Sequence, residues 1–292
     1  MNEDLRVVFE SRNRQLCADR SLVLSSAQIP HQLIDDSDSC ALVVPAAESA
    51  RAASELRLYD EENPPPIPQP RPKIELQDPL PGLIGYVLLV CLVAGLAGYT
   101  FFGKDWLAAG RVDGELIRQG EIWRLFTALT LHGSVKHLLG NLVFGVFFGL
   151  FAGRLLGSGV AWLVIVLAAA TGNAINVMLL EPSHRAIGAS TAVFAALGLL
   201  AGYVWKGRFM RQDGWSNRYG PIVGGLALLM YTGTGGPNTD IGAHLLGFVC
   251  GFAAGIMLIR FGLTSNDAHV QRVSGSLAVL LIILSWLIAL TV

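Results

Sequence analysis

Ser190 and His244 are the residues of this chain whose types fit nucleophilic catalysis. A serine hydroxyl attacks a carbonyl once a neighbouring imidazole takes its proton. Residues 186–205 read AIGASTAVFAALGLLAGYVW, with no charged side chain, and are long enough to cross a bilayer as a helix. Gly188-Ala189-Ser190 puts the hydroxyl in the first turn of that stretch. Alone, such a serine is one more small packing residue. Its meaning changes beside other polar residues in apolar stretches, among them His137, Asn141, Asn173 and His244. Polar groups inside a membrane are costly and point to function. His137 and Asn141 are four apart and share a helix face. His244 is followed by Gly247, Gly251 and Gly255, all within a narrow arc. The imidazole thus sits on a face that invites another backbone close. Ser190, Phe194, Gly198 and Gly202 follow a slowly drifting face of their own. If the two faces meet, hydroxyl and imidazole come together. The oxygen of a tetrahedral intermediate would then need preorganised donors. The Ser190 backbone N–H, His137 and the Asn141 amide are the candidates. No carboxylate is placed to orient His244, and Asp240 reads as a helix cap. Asn173 reads as a structural link and His132 as a clasp between a loop and the following helix.

These residues need membrane helices to position them. Charged residues make up 15% of the 292, against about a quarter in soluble domains. Mean hydropathy is +0.51. Seven apolar stretches follow residue 81: 82–102, 136–156, 160–180, 186–205, 219–231, 242–261 and 276–291. The expected class is an all-α polytopic membrane protein. Gly145, Gly149 and Gly153 give the second stretch a small-residue ladder. In the long loop 103–133, Glu121 to Phe126 reads as a short interfacial segment. Trp123 would sit at the interface there, and Arg124 would reach the headgroups. The first 20 residues hold eight charged side chains and no apolar core, so the first span is expected to act as the insertion signal. Cys17, Cys40, Cys91 and Cys250 share no motif spacing and read as small apolar fillers, with no disulfide framework or metal site.

Residues 1–62 read as a small soluble α+β domain. Its expected parts are strands at 6–9, 31–34 and 40–44 and helices at 14–26 and, opened by Pro45, 45–59. Eight prolines between residues 64 and 81 make 63–81 an extended linker. Residues 1–80 carry 8 basic and 14 acidic side chains, net −6; the remainder carries 13 and 8, net +5. Nothing in this balance points to nucleic acid. With seven spans, Arg154, the group Lys206, Arg208, Arg211 and Arg218, and Arg260 fall on one side, the cytoplasm by the positive-inside rule. The N-terminal domain then shares that side, and loop 103–133 with Ser190 and His244 lies toward the outer face.

Taken together, these motifs resemble the rhomboid intramembrane serine proteases. The shared elements are Trp123-Arg124, His132 with His137 and Asn141, Gly188-Ala189-Ser190, and His244 with Gly247 and Gly251, in the family's order. The resemblance covers 82–262 as a six-helix core, leaving 263–292 as a linker and seventh helix. It implies a Ser190–His244 dyad without an aspartate, oxyanion and positioning roles for His137 and Asn141, and a core-shaping role for the Trp123-Arg124 loop. It implies transmembrane protein substrates in a lipid bilayer, cleaved near its outer face, with no metal or organic cofactor. A bacterial inner membrane is the expected location. Two positions depart from the family pattern. Thr191 stands where glycine usually follows the nucleophile, and its branched side chain is expected to narrow the approach to the serine. Phe194 stands where a tyrosine is common, which keeps the ring and loses a hydroxyl. The alternative function is a catalytically impaired relative that binds membrane clients. A small-solute transporter would show repeated halves, and the sequence has none.

The orientation is checked by single cysteines at Ser25 and Ser134 in a background lacking the native cysteines. In intact cells an impermeant thiol reagent is expected to label position 134 and spare position 25. The reverse pattern overturns the orientation.

Overall fold

The structure is a computed structural model and describes residues 4–36, 38–64, 75–98, 103–207, 215–233 and 239–292. Two compact units divide the chain, Met1–Pro70 and Arg71–Val292.

In the first unit, β1 (Leu5–Ser11), β2 (Gln32–Asp35) and β3 (Cys40–Pro45) form an antiparallel sheet in the order β1-β3-β2. Helices α1 (Arg14–Ser26) and α2 (Ser49–Glu62) supply the rest of the core. Alternation along β3 turns Leu42 and Val44 toward Leu24 of α1 and Ala52 and Leu56 of α2. The expected α+β domain is present, with one change after the third strand. Pro45 ends β3, and a 3₁₀ turn (Ala46–Glu48) leads into α2. A second change concerns the cysteines. Cys17 and Cys40 are joined by a disulfide, against the expectation of isolated apolar fillers. Helix α1 lies over β3 and brings the two Cα atoms to 6.4 Å, a distance no sequence spacing announces. The linker prolines from Pro65 to Pro72 lie outside the described residues.

The second unit is helical. Helices α3 (Leu80–Gly98), α7 (Val135–Leu156), α8 (Ser158–Leu179), α11 (Ile241–Phe261) and α12 (Ala268–Thr291) are long and apolar enough to cross a membrane. Helices α9 (Ser190–Gly207) and α10 (Trp215–Gly233), also expected as spans, are not among those five. Helix α9 has a polar start, carries Lys206 in its last turn and is enclosed by its neighbours: twelve of its eighteen residues are buried. The basic residues Arg208 and Arg211 lie outside the described residues. Between α3 and α7 run the short elements α4 (Trp106–Gly110), β4 (Val112–Asp113), α5 (Gly114–Arg118) and α6 (Arg124–Thr127). The seventh helix begins eight residues earlier than the apolar stretch, because Asp267 caps it by accepting from the His269 N–H at 2.6 Å. Glu75 to Pro79 are tied to this unit: Gln77 N–H bonds to the Arg154 carbonyl, and its side chain donates to Asn266.

Glycine decides the packing. On α7, Gly145, Gly149 and Gly153 leave room for Tyr86, for Trp162 with Leu83, and for Pro79. The tightest pair is α9 with α11. A Cβ on Gly198 or Gly202 would run into the carbonyls of Phe248 and Phe252. A Cβ on Gly251 or Gly255 would run into those of Ala195 and Leu199. The two helices therefore touch backbone to backbone, as the glycine spacing predicts.

Gly251→Ala should lower stability in detergent by about 1–3 kcal/mol, the range for overpacking a tight core. Gly85→Ala, where nothing lies within 4 Å of the added methyl, should be neutral or stabilising. Thermal unfolding of the two variants checks this. Equal melting of Gly251→Ala and wild type would refute the close contact.

Candidate active site

The stretch 186–205 is not one continuous helix. Arg185–Ala186 forms a short strand, β5, paired antiparallel with β4 (Val112↔Ala186, Asp113↔Arg185). Gly188 then takes φ +134°, a conformation that favours glycine. The helix starts only at Ser190. Asp113 anchors the pairing. Its carboxylate accepts from Arg185 Nε at 2.9 Å and lies 3.7 Å from Arg111. Burial would raise the Asp113 pKa. The bonds from Arg185 and the Leu116 N–H, with both guanidinium charges, outweigh it and hold the carboxyl below its ordinary value.

At this helix start Ser190 Oγ lies 2.8 Å from His244 Nε2 of α11. With Nε2 unprotonated, the imidazole accepts the hydroxyl proton along this contact. His244 is buried and its ring packs on Phe194, with centroids 4.5 Å apart. Its own helix is fixed at the N-terminus. Asp240 is the cap, accepting from the Ala243 N–H at 2.9 Å. Asp240 also accepts from Asn176 Nδ2 at 2.9 Å and pairs with His184 Nε2 at 2.8 Å. The expected cap is present, with two partners that the sequence reading missed. Asn176 lies three residues after Asn173 on α8, so its placement in an apolar stretch was a usable signal. His184 lies in a loop and carried no periodic signal.

His137 and Asn141 reach the same place from α7. A Cβ on Gly188 would stand 2.8 Å from His137 Nε2 and 3.3 Å from Ser190 Oγ, so the imidazole lies directly over this glycine. Asn141 is held at both ends. Its backbone carbonyl accepts from the Tyr86 hydroxyl at 2.7 Å, and its side-chain amide meets His132 Nε2 at 3.0 Å. His132 is thus the loop-to-helix clasp. Burial, then repulsion from His137, pushes its pKa down to about 4, so near neutral pH it accepts the Asn141 N–H as an uncharged ring. Asn173 donates to the Leu125 carbonyl at 3.1 Å, a structural link to α6. Ser190, His244, His137, Asn141 and Gly188 all line one cleft of about 790 Å³. The N–H groups of the first turn of α9 lack intrahelical acceptors by position. Val193 is the first to bond back, to the Ala189 carbonyl.

One expectation changes. Arg124 does not reach outward to headgroups. It is 6% exposed, bonds Glu121 at 2.6 Å, and donates to the carbonyls of Ala108 at 2.8 Å and Arg111 at 3.1 Å. Those carbonyls end a short helix and need a donor more than lipid needs an anchor. Thr191 is buried, and its methyl carbon would stand 3.0 Å from a Cβ on Gly247. The branched side chain packs against α11, and the residue also lines the cleft beside Ser190.

Residues 119–261 match the family described as Rhomboid domain. Rhomboid protease GluP of Bacillus subtilis (strain 168) is 33% identical over 204 residues, 69% of this chain and 38% of that protein. Rhomboid-like protease 2 of Toxoplasma gondii is 32% identical over 177 residues, 59% of this chain and 61% of that protein. RHOMBOID-like protein 4 of Arabidopsis thaliana is 31% identical over 148 residues, 50% of this chain and 36% of that protein. The chain spans less than two thirds of each relative's length. Motif order, the helix pair that carries Ser190 and His244, and the matched domain agree, and the chain is a multi-pass membrane protein that belongs to the rhomboid family.

Proposed function

We propose that this protein is an intramembrane serine endopeptidase that cleaves transmembrane proteins near the outer membrane face. The observation that carries this reading is the 2.8 Å contact between Ser190 Oγ and His244 Nε2 inside the cleft. His244 takes the hydroxyl proton as Ser190 Oγ bonds to the scissile carbonyl carbon. The carbonyl oxygen becomes an oxyanion facing the Ser190 N–H, His137 and Asn141. His244 then gives its proton to the leaving amine, and the peptide bond breaks. Water, deprotonated by His244, releases the acyl group and restores the hydroxyl. A substrate helix must unwind to expose its carbonyls, so helix-breaking residues near the bond favour cleavage. The named relatives Rhomboid protease GluP and Rhomboid-like protease 2 support the class of activity. A bacterial inner membrane with a cytoplasmic N-terminal domain is the proposed setting. The Cys17–Cys40 bond runs against the second half of that proposal, since disulfides persist in oxidising compartments. Thiol accessibility at position 25 therefore bears on both.

Ser190→Ala and His244→Ala should each reduce cleavage of a model transmembrane substrate by roughly 10³-fold or more, and the double variant should lose no more than the worse single one. A fluorophosphonate probe should label wild type and fail on Ser190→Ala. Cleavage by Ser190→Ala at the wild-type rate would overturn the assignment. His137→Ala or Asn141→Ala should reduce kcat by about 10²–10³-fold and leave KM nearly unchanged, the signature of a lost oxyanion donor.

Thr191 motivates the second reading, a client-binding relative without turnover. Its methyl is engaged against Gly247 of α11 even though the residue lines the cleft, which favours a packing role over obstruction. Thr191→Gly should lower stability by roughly 1–2 kcal/mol through the lost packing and the glycine helix penalty. Its kcat should stay within about threefold of wild type, a difference worth less than 1 kcal/mol. A large gain in rate on every substrate would mean that Thr191 obstructs the nucleophile.

A further inference from the structure

We infer that Trp286 on α12 is a positioning residue for the oxyanion side of the site, reaching it through Thr130, His132 and Asn141. The inference rests on the protease reading above. Helix α12 lies beyond the matched Rhomboid domain, which ends at residue 261.

Trp286 is 6% exposed, and its indole N–H donates to Thr130 Oγ1 at 3.0 Å. The Thr130 hydroxyl gives its own proton to the Thr127 carbonyl at 2.7 Å. Its oxygen can then only accept, and the indole is a donor-only group, so the pairing has one sense. Thr130 is 2% exposed, and losing the indole would leave its lone pairs buried. The ring is fixed by packing as well. It lies 4.8 Å from Trp106, centroid to centroid, and leaves Gly110 no room for a side chain. Leu131, fully buried, belongs to the same apolar cluster as Trp106, Ile282 and Trp286.

The next residue is His132, whose ring holds the Asn141 amide at 3.0 Å. Trp286 thus seats the Thr130–Leu131 turn, the turn sets the His132 ring, and the ring sets the amide that faces the cleft. Asn141 otherwise has freedom about its last torsion. A donor that is present but misaimed loses most of its effect on an oxyanion.

The test is Trp286→Phe, which keeps an aromatic ring against Trp106 and removes the N–H. Turnover of a transmembrane substrate, fluorophosphonate labelling and thermal unfolding are measured on the purified full chain. Wild type must cut and label; absence of both overturns the protease reading and this inference with it. Trp286→Phe should lower kcat by about tenfold, below the roughly 10²-fold that a 1 Å misplacement can cost. KM should stay within about twofold, since the donor acts once charge develops. The unfolding temperature should fall by no more than about 4 °C, the scale of one lost hydrogen bond. Thr130→Val should match this loss, and Thr130→Ser should retain activity because it keeps the acceptor. The double variant Trp286→Phe/Thr130→Val should be no slower than the worse single one. Leu287→Ala, at an exposed neighbour on the same helix, should leave kcat unchanged. An unchanged kcat in Trp286→Phe, additive losses, or a kcat loss fully explained by the folded fraction would each overturn the inference while leaving the protease reading intact.

Discussion

The backbone contact between α9 and α11 is the constraint on which the rest depends. Four glycines from the two helices face carbonyl oxygens of the opposite helix with no space for a methyl group. Such contacts leave very little latitude in sliding or rotation, because carbonyl groups do not change rotamer. The distance between Ser190 and His244 is therefore set by the helix axes, and the side chains have only to extend. Gly247 continues the pattern at the level of the site itself, lying under the Thr191 carbonyl and methyl. Any residue larger than glycine along this seam would be felt at the hydroxyl–imidazole pair.

The long loop between α3 and α7 works by a different rule. It is irregular backbone, so its polar groups need partners supplied by side chains. Arg124 satisfies two carbonyls and a carboxylate, Thr127 donates to Gly110, and Arg118 donates to Val177 and Leu180 at the end of α8. Apolar side chains seal the other side of the loop, with Trp106, Leu131 and Trp286 in one cluster. The loop is thereby a fixed wall from which His132 reaches Asn141. Glycine spacing shapes the helices, and donor counting shapes the loop.

The division explains what the sequence disclosed. Ser190, His244, His137 and Asn141 were legible because each stands out against an apolar background and shares a face with a periodic neighbour. The packing of α9 on α11 was legible for the same reason, through Gly198, Gly202, Gly251 and Gly255. Periodicity carries no information about pairs that meet only after folding. Cys17 and Cys40 lie 23 residues apart with nothing between them to mark the bond. The inward turn of Arg124 depended on carbonyls in residues 108 and 111, and the His184–Asp240 pair on the approach of two loops. The late start of α9 at Ser190 came from the β4–β5 pairing, a two-residue strand too short to leave an alternating pattern.

Gln271 carries a consequence of another kind. Its side-chain oxygen accepts from the N–H groups of Gly159 and Val160, and its nitrogen donates to the carbonyls of Leu156 and Ser265. One amide thus fills all four of its bonds and closes the turn between α7 and α8. That turn is synthesised long before its partner, with 112 residues separating Gly159 from Gln271. At a translation speed of ~5–20 residues per second, the open N-terminus of α8 waits on the order of 10 s for its acceptor. During that interval the turn must be satisfied by water, headgroups or the insertion machinery. Helix α12, which carries Gln271, is thus the element that releases the nascent core from those temporary partners.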